Sequence, residues 1–173
     1  MKKSRFVIIG FILLLVLSII YINYAYIYNP LTFPKGNISE YPHYSFTTFK
    51  KPMVMEAIKR EPNGDRSFYQ YIKDEKDIKY LLKQFDEAHK RVGSYDINRY
   101  ISELPEDRGA EYTIIFRQVD KWDGDVAQGR ILIQFTFFEN NDVFEISGHY
   151  FYSLEEEFKN DIVHAFSEDK WFD

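Results

Sequence analysis

Residues 130–139 read RILIQFTFFE. Successive side chains of a strand point to opposite faces, so Ile131, Ile133, Phe135 and Phe137 share one face while Arg130, Gln134 and Thr136 share the other. This is the pattern of a strand in an antiparallel sheet that is covered on one side only. Two more β-rich runs flank it, EYTIIFRQV at 111–119 and VFEISGHYFY at 143–152. The three are predicted to form a meander.

Further toward the amino end, 53–60 and 66–73 are short β-prone runs. Glu61-Pro62-Asn63-Gly64-Asp65 separates them, and its Asn-Gly tolerates positive φ, which favours a hairpin. A helix is expected over 75–92. Asp74 can cap it, Glu75 and Asp77 suit its first turn, Gly93 can end it, and Ile78, Leu81, Leu82, Phe85 and Val92 fall on one stripe. Residues 94–109 contain Pro105 and read as a packed loop or one short helical turn. Ser153-Leu154-Glu155-Glu156 has the form of a capping box, and Leu154, Phe158, Ile162, Ala165 and Phe166 repeat at helical spacing behind it. The predicted order is β-β-α-β-β-β-α. It describes an α+β domain with an antiparallel sheet of about five strands and two helices packed on one face, which buries both helical stripes against the sheet's apolar side.

Ahead of this domain stands FVIIGFILLLVLSIIYINYAYIY, residues 6–28. At about 1.5 Å per residue the run is roughly 35 Å long, enough to cross a hydrocarbon core of about 30 Å. Phe6, Ile12, Leu14, Leu17, Ile20, Tyr21 and Tyr24 are the expected membrane-anchor residues, with the tyrosines at the far interface. Lys2, Lys3 and Arg5 hold the start in the cytoplasm by the positive-inside bias. A cleaved signal would need a shorter apolar run and a small-x-small site. Asn23-Tyr24-Ala25 is a poor match to such a site. The expected organisation is a cytoplasmic basic tail at 1–5, a transmembrane helix at 6–28, an extracytoplasmic linker at 29–51 with Pro30, Pro34, Pro42 and Gly36, and the α+β domain at 52–173. The aromatic second half of the linker is expected to pack on the domain.

Of 22 lysines and arginines, three precede the apolar run; 19 remain against 27 acids, a net charge of −8 beyond the run. That balance argues against nucleic-acid binding, which clustered cations drive, and no basic run appears, so no nucleic-acid partner is expected. With no cysteine, the domain uses neither disulfides nor thiolate metal sites, and the apolar run is not a lipoprotein signal. Aromatic residues, 16 Phe, 14 Tyr and 2 Trp, supply the area to bury instead.

Asp120, Asp123 and Asp125 are closely spaced around Gly124, a weak metal candidate. Lysine and tryptophan interrupt the alternate oxygen positions a calcium loop requires, and a turn between strands is the simpler reading. The histidines form no H-x-x-x-H or H-E-x-x-H pattern, and Ser147 and His149 lie too far apart along a strand to make a nucleophile and its base. No phosphate-binding glycine loop is present, and no cofactor is expected. Tyr69, Tyr71, Trp122, Tyr150, Tyr152 and Trp171 are the residues from which an aromatic partner surface would be built.

The basic start, the membrane segment from Lys2 to Tyr28 and the ending "strand, GHYFYSLEEEF, helix" resemble small signal-anchored, lipoprotein-like extracytoplasmic proteins of Bacillus-type bacteria. The resemblance implies a single α+β domain held outside the membrane and supplies no catalytic residue. The expected function is that of a single-pass membrane protein with its amino terminus in the cytoplasm. It presents a non-catalytic binding or accessory domain, with the bilayer and another membrane or envelope protein as partners. The alternatives are a cell-envelope hydrolase working through carboxylates and a transmembrane-helix subunit of a membrane complex.

Overall fold

The computed structural model describes residues 2–33, 45–62, 64, 66–91, 97–146 and 150–166. Along the chain these form α1 (Lys2–Ala25), β1 (Met53–Arg60), β2 (Ser67–Ile72), α2 (Glu75–Ala88), β3 (His89–Arg91), α3 (Ile97–Glu103), β4 (Glu111–Asp123), β5 (Val126–Phe138), β6 (Val143–Ile146), β7 (Tyr150–Leu154) and α4 (Glu156–Ala165). The strands make one antiparallel sheet in the order β2-β1-β4-β5-β6-β7-β3. The class is α+β.

α2 and α4 turn their apolar stripes to one sheet face, as the periodicity predicts. Ile78, Leu81, Leu82 and Phe85 of α2 and Phe158 and Ile162 of α4 share a core with Met55, Ile114, Phe116, Phe135, Phe137 and Phe144 of the sheet. Phe85 sits at the centre. It stacks on Phe135 at 4.7 Å between ring centroids and meets Phe144 and Phe158 at 6.0 and 6.1 Å. Offset and edge-on contacts of this kind add to the area that the rings bury. Lys159 fixes α4 to the β5–β6 turn: its ammonium donates to Asp142 Oδ1 at 2.7 Å and to the carbonyls of Asn141 and Glu139.

Several sequence expectations need correction. Seven strands are described where about five were expected. The helix expected over 75–92 stops at Ala88, because His89–Arg91 pairs with the exposed edge of β7 and satisfies its backbone there. The strand expected over 143–152 is two strands, β6 and β7, which pair antiparallel with Phe144 opposite Tyr152. The capping box does not form. Ser153 and Leu154 stay in the β7 ladder, and the residue before α4 is Glu155, in extended conformation with no side-chain cap. The alternation along β5 also breaks. Phe116 pairs with Ile133 and Arg117 with Ile131, so Leu132 is a bulge residue. Leu132 is therefore buried and Ile131, expected in the core, is 46 % exposed. The stretch 94–109 does contain a short helix, α3.

The register gives the domain two distinct ends. At one lie the start of β1, the end of β2, the start of α2 and the tip of the β4–β5 hairpin, with the exit of α1 beside them. At the other lie the 61–66 turn and the start of β4. Gly64 occupies that turn with φ of +72°, the conformation for which Asn-Gly was read as a hairpin signal.

Candidate functional site

Three features lie at the end where α1 joins the domain. The first is the joint. The helix stops at Ala25 rather than at 28, and Tyr26 pairs with Lys50 in an antiparallel bridge. Ile27 N donates to Phe49 O at 2.8 Å and Lys51 N donates to Ala25 O at 2.9 Å. The Lys51 ammonium donates to Asn23 O at 2.7 Å and pairs with Glu75 at 2.8 Å, which in turn holds Lys79. Burial alone would raise the Glu75 carboxyl, but its bonds to Lys51 and Lys79 outweigh that and hold it below the usual range. Ile27, Tyr28 and Phe49 are buried in the domain core. The Tyr28 ring meets Phe49 and Phe33 edge-on, and its hydroxyl donates to Lys79 O at 3.3 Å. Burial, then the Asp86 carboxylate, push that phenol well above its ordinary value. Of the expected linker 29–51, the described parts 29–33 and 45–51 are thus tied to the domain, and only 34–44 lie outside the described residues.

The second feature is an open cleft of about 500 Å³ between the end of β2, the start of α2 and the end of α4. Asp74, Asp77, Asp161 and His164 line it together with Gln70, Lys73 and Tyr80. Asp74 Oδ1 accepts from Lys76 N at 2.7 Å, so one of these carboxylates is occupied with capping α2. The Tyr80 hydroxyl donates to Asp161 Oδ2 at 3.4 Å and accepts from Gln84 at 3.0 Å. Gln70 is buried, and its Oε1 has no hydrogen-bond partner among the described residues. The lining is rich in acceptors, yet among the described residues no three His, Asp or Glu side chains converge as a metal cage.

The third feature is the sheet face opposite the helices. Here the hairpin tip bends back over β1 and β2. Trp122 meets Tyr71 edge-on at 5.4 Å, and the Lys73 ammonium lies 4.2 Å from the Trp122 ring centre. Ala127 N donates to the Tyr71 hydroxyl at 3.3 Å. Beneath this cover Arg117 donates to Glu56 Oε2 from Nη2 at 3.0 Å and from Nε at 3.3 Å, and from Nη1 to Gly129 O at 3.2 Å. Burial, helped by the Glu56 carboxylate, raises the Tyr71 phenol against the opposing Ala127 amide and Arg117 guanidinium. The arrangement is a covered ion pair within an aromatic lid, with Val54, Val119 and Ala127 closing it.

The expected site residues distribute as follows. Phe6, Ile12, Leu14, Leu17, Ile20, Tyr21 and Tyr24 all lie on α1 and are exposed. Its segment Phe6–Ala25 is long and apolar enough to cross a membrane, and none of it is buried against the rest of the chain. Asp120, Asp123 and Asp125 lie on the β4–β5 hairpin, where Asp123 accepts from Gln128 at 3.1 Å and Gly124 takes φ of +57° at the turn. Tyr71 and Trp122 contact one another at the hairpin end rather than standing free, whereas Tyr69 pairs with Ile58, which lies opposite Thr113 near the start of β4. Tyr152 is corrected: it is buried and stacked on Phe144, not part of a surface. Tyr150 pairs with Ile146 in β7, and Trp171 lies outside the described residues. Sequence reasoning missed the Glu56–Arg117 pair and Gln70, since neither residue type in a strand announces burial. The chain matches no protein-family model, no curated protein and no solved structure.

Proposed function

We propose that this protein is a single-pass membrane protein, amino terminus in the cytoplasm, that holds a non-catalytic binding or accessory domain on the extracytoplasmic side. The observation that carries the reading is the bare apolar helix. From Phe6 to Tyr21 its side chains are exposed, and contacts with the domain begin only at the last turn, around Asn23 and Ala25. Leaving apolar surface in water forfeits roughly 25 cal/mol per Å², so a helix of this kind needs lipid or a partner around it. About 20 residues at 1.5 Å each match a bilayer core of about 30 Å. The basic residues Lys2, Lys3 and Arg5 favour the stated orientation.

The joint supports an uncleaved anchor. The one position resembling a cleavage site follows Ala25, whose carbonyl is bonded to Lys51 within the joint. The bilayer is the first partner, and a second membrane or envelope protein is the proposed ligand of the domain.

Carbonate extraction and protease accessibility in intact cells test this. The full-length chain is expected in the membrane pellet, with a carboxyl-terminal tag digestible from outside. A mature chain free in the medium and starting near position 26, or a full-length cytosolic chain, would overturn the anchor. Specific turnover by the purified protein would overturn its non-catalytic role.

A further inference from the structure

The turn at 29–32 folds back on the helix it follows. Asn29 Oδ1 accepts from the amides of Leu31 and Thr32 at 2.9 and 3.0 Å, and Asn29 Nδ2 donates to Asn23 Oδ1 at 3.4 Å. Asn23 lies two residues before the helix end, about 3 Å back along its axis. The turn is therefore level with the last helical turn rather than beyond it. At its tip Leu31 is 93 % exposed, more than any other large apolar side chain described, and Tyr24, next to Asn23 in the helix, is 82 % exposed. Lys50, exposed and paired through its backbone with Tyr26, brings a cation to the same level.

We infer that the 29–32 turn is a lipid-contact site of the domain itself, with Leu31 and Tyr24 seated in the outer interfacial layer of the bilayer. The inference rests on the reading of α1 as a membrane anchor. An exposed leucine in a turn pinned beside a membrane helix gains by entering the interface, where tyrosine also partitions and where lysine meets phosphate headgroups. The domain then sits on the membrane through two attachments, the helix and the turn, with no stalk between them. Lipid rather than protein is the occupant because the pinning fixes Leu31 at the depth at which the apolar helix ends.

The natural absence of cysteine makes the test direct. Leu14→Cys, Leu31→Cys and Ile101→Cys are made singly in the full-length protein and labelled with a nitroxide. They are then reconstituted in phosphatidylcholine and phosphatidylglycerol vesicles. Leu14 reports the helix, and Ile101, exposed on α3, reports the domain away from the joint. Collision with oxygen against collision with a water-soluble nickel chelate gives the depth of each label. The expected result is a deep label at 14, a shallow but oxygen-favoured label at 31 with several-fold less nickel contact than at 101, and an aqueous label at 101. A label at 31 as aqueous as that at 101, with 14 still in lipid, overturns the inference and leaves the anchor standing. A label at 31 shielded from both reagents means that a protein covers the turn, and also overturns it. An aqueous label at 14 removes the anchor and the inference together.

Discussion

Gly129 adopts φ of +154°, and a β-carbon built there would come within 2.0 Å of the Gln118 carbonyl oxygen. The close approach follows from the irregular register at Asp120, where Val119 pairs with Gly129 and Lys121 with Gln128. Only glycine accepts both the backbone angle and the contact. Gly129→Ala is expected to lower stability by about 2 kcal/mol or more, read from the urea midpoint in detergent solution. Glu75 provides a pH prediction. Its carboxyl titrates lower in the folded chain than in the unfolded one, so its contribution is present above the unfolded value and is lost as pH falls through the folded value. Glu75→Gln should therefore destabilise at neutral pH and converge with the native chain under acid, as followed by urea midpoints from pH 7 to pH 3. Neither property was legible from residue type. Asn-Gly at 63–64 announces its turn, but Gly129 reads as an ordinary loop glycine just ahead of the run 130–139, and Glu75 looks like any acid in a first helical turn.

Among the elements, the helix stripe of α2 was legible because period 3.6 leaves four apolar residues on one side, and all four are buried. Phe85→Ala is expected to cost about 3–5 kcal/mol, since its ring touches three others in the core. The strands were legible in kind but not in number. The bulge at Leu132 is set by the register with β4, which alternation along β5 alone cannot report, and β6 and β7 lay within one unbroken β-rich run. The same applies to the covered pair on the other face. Arg117→Met should destabilise by about 3–5 kcal/mol by leaving the Glu56 carboxylate buried without its cation. Adding Glu56→Leu should recover most of that loss, and a thermal unfolding series on the three variants measures both.

For the whole molecule, the composition foresaw one aromatic-rich domain behind one apolar helix, and this division holds. Phe49 joins the core that α2 and the sheet build, as expected of the aromatic second half of the linker, but Ile27 and Tyr28, read as membrane residues, join it too. Apolar residues at a helix exit read equally well as membrane and as core, so the sequence alone could not assign 26–28. A chain starting at Asn29 is expected to be roughly 3–6 kcal/mol less stable than one starting at Tyr26, having lost two large buried side chains. Circular dichroism melts of the two compare them directly. The cleft with the Gln70 oxygen, unpartnered among the described residues, lies at the same end as the joint.

The Tyr26–Lys50 bridge removes the swivel that a tether would provide. Each residue of an α-helix advances the azimuth by about 100°. Adding one alanine within Phe6–Ala25 would accordingly wheel the entire domain a little over a quarter of a revolution, about 100°, and four would return it to within about 40° of its starting bearing. Compass heading is thereby encoded in helix length, so that whatever meets this domain sideways would sense insertions of one residue far more sharply than insertions of four.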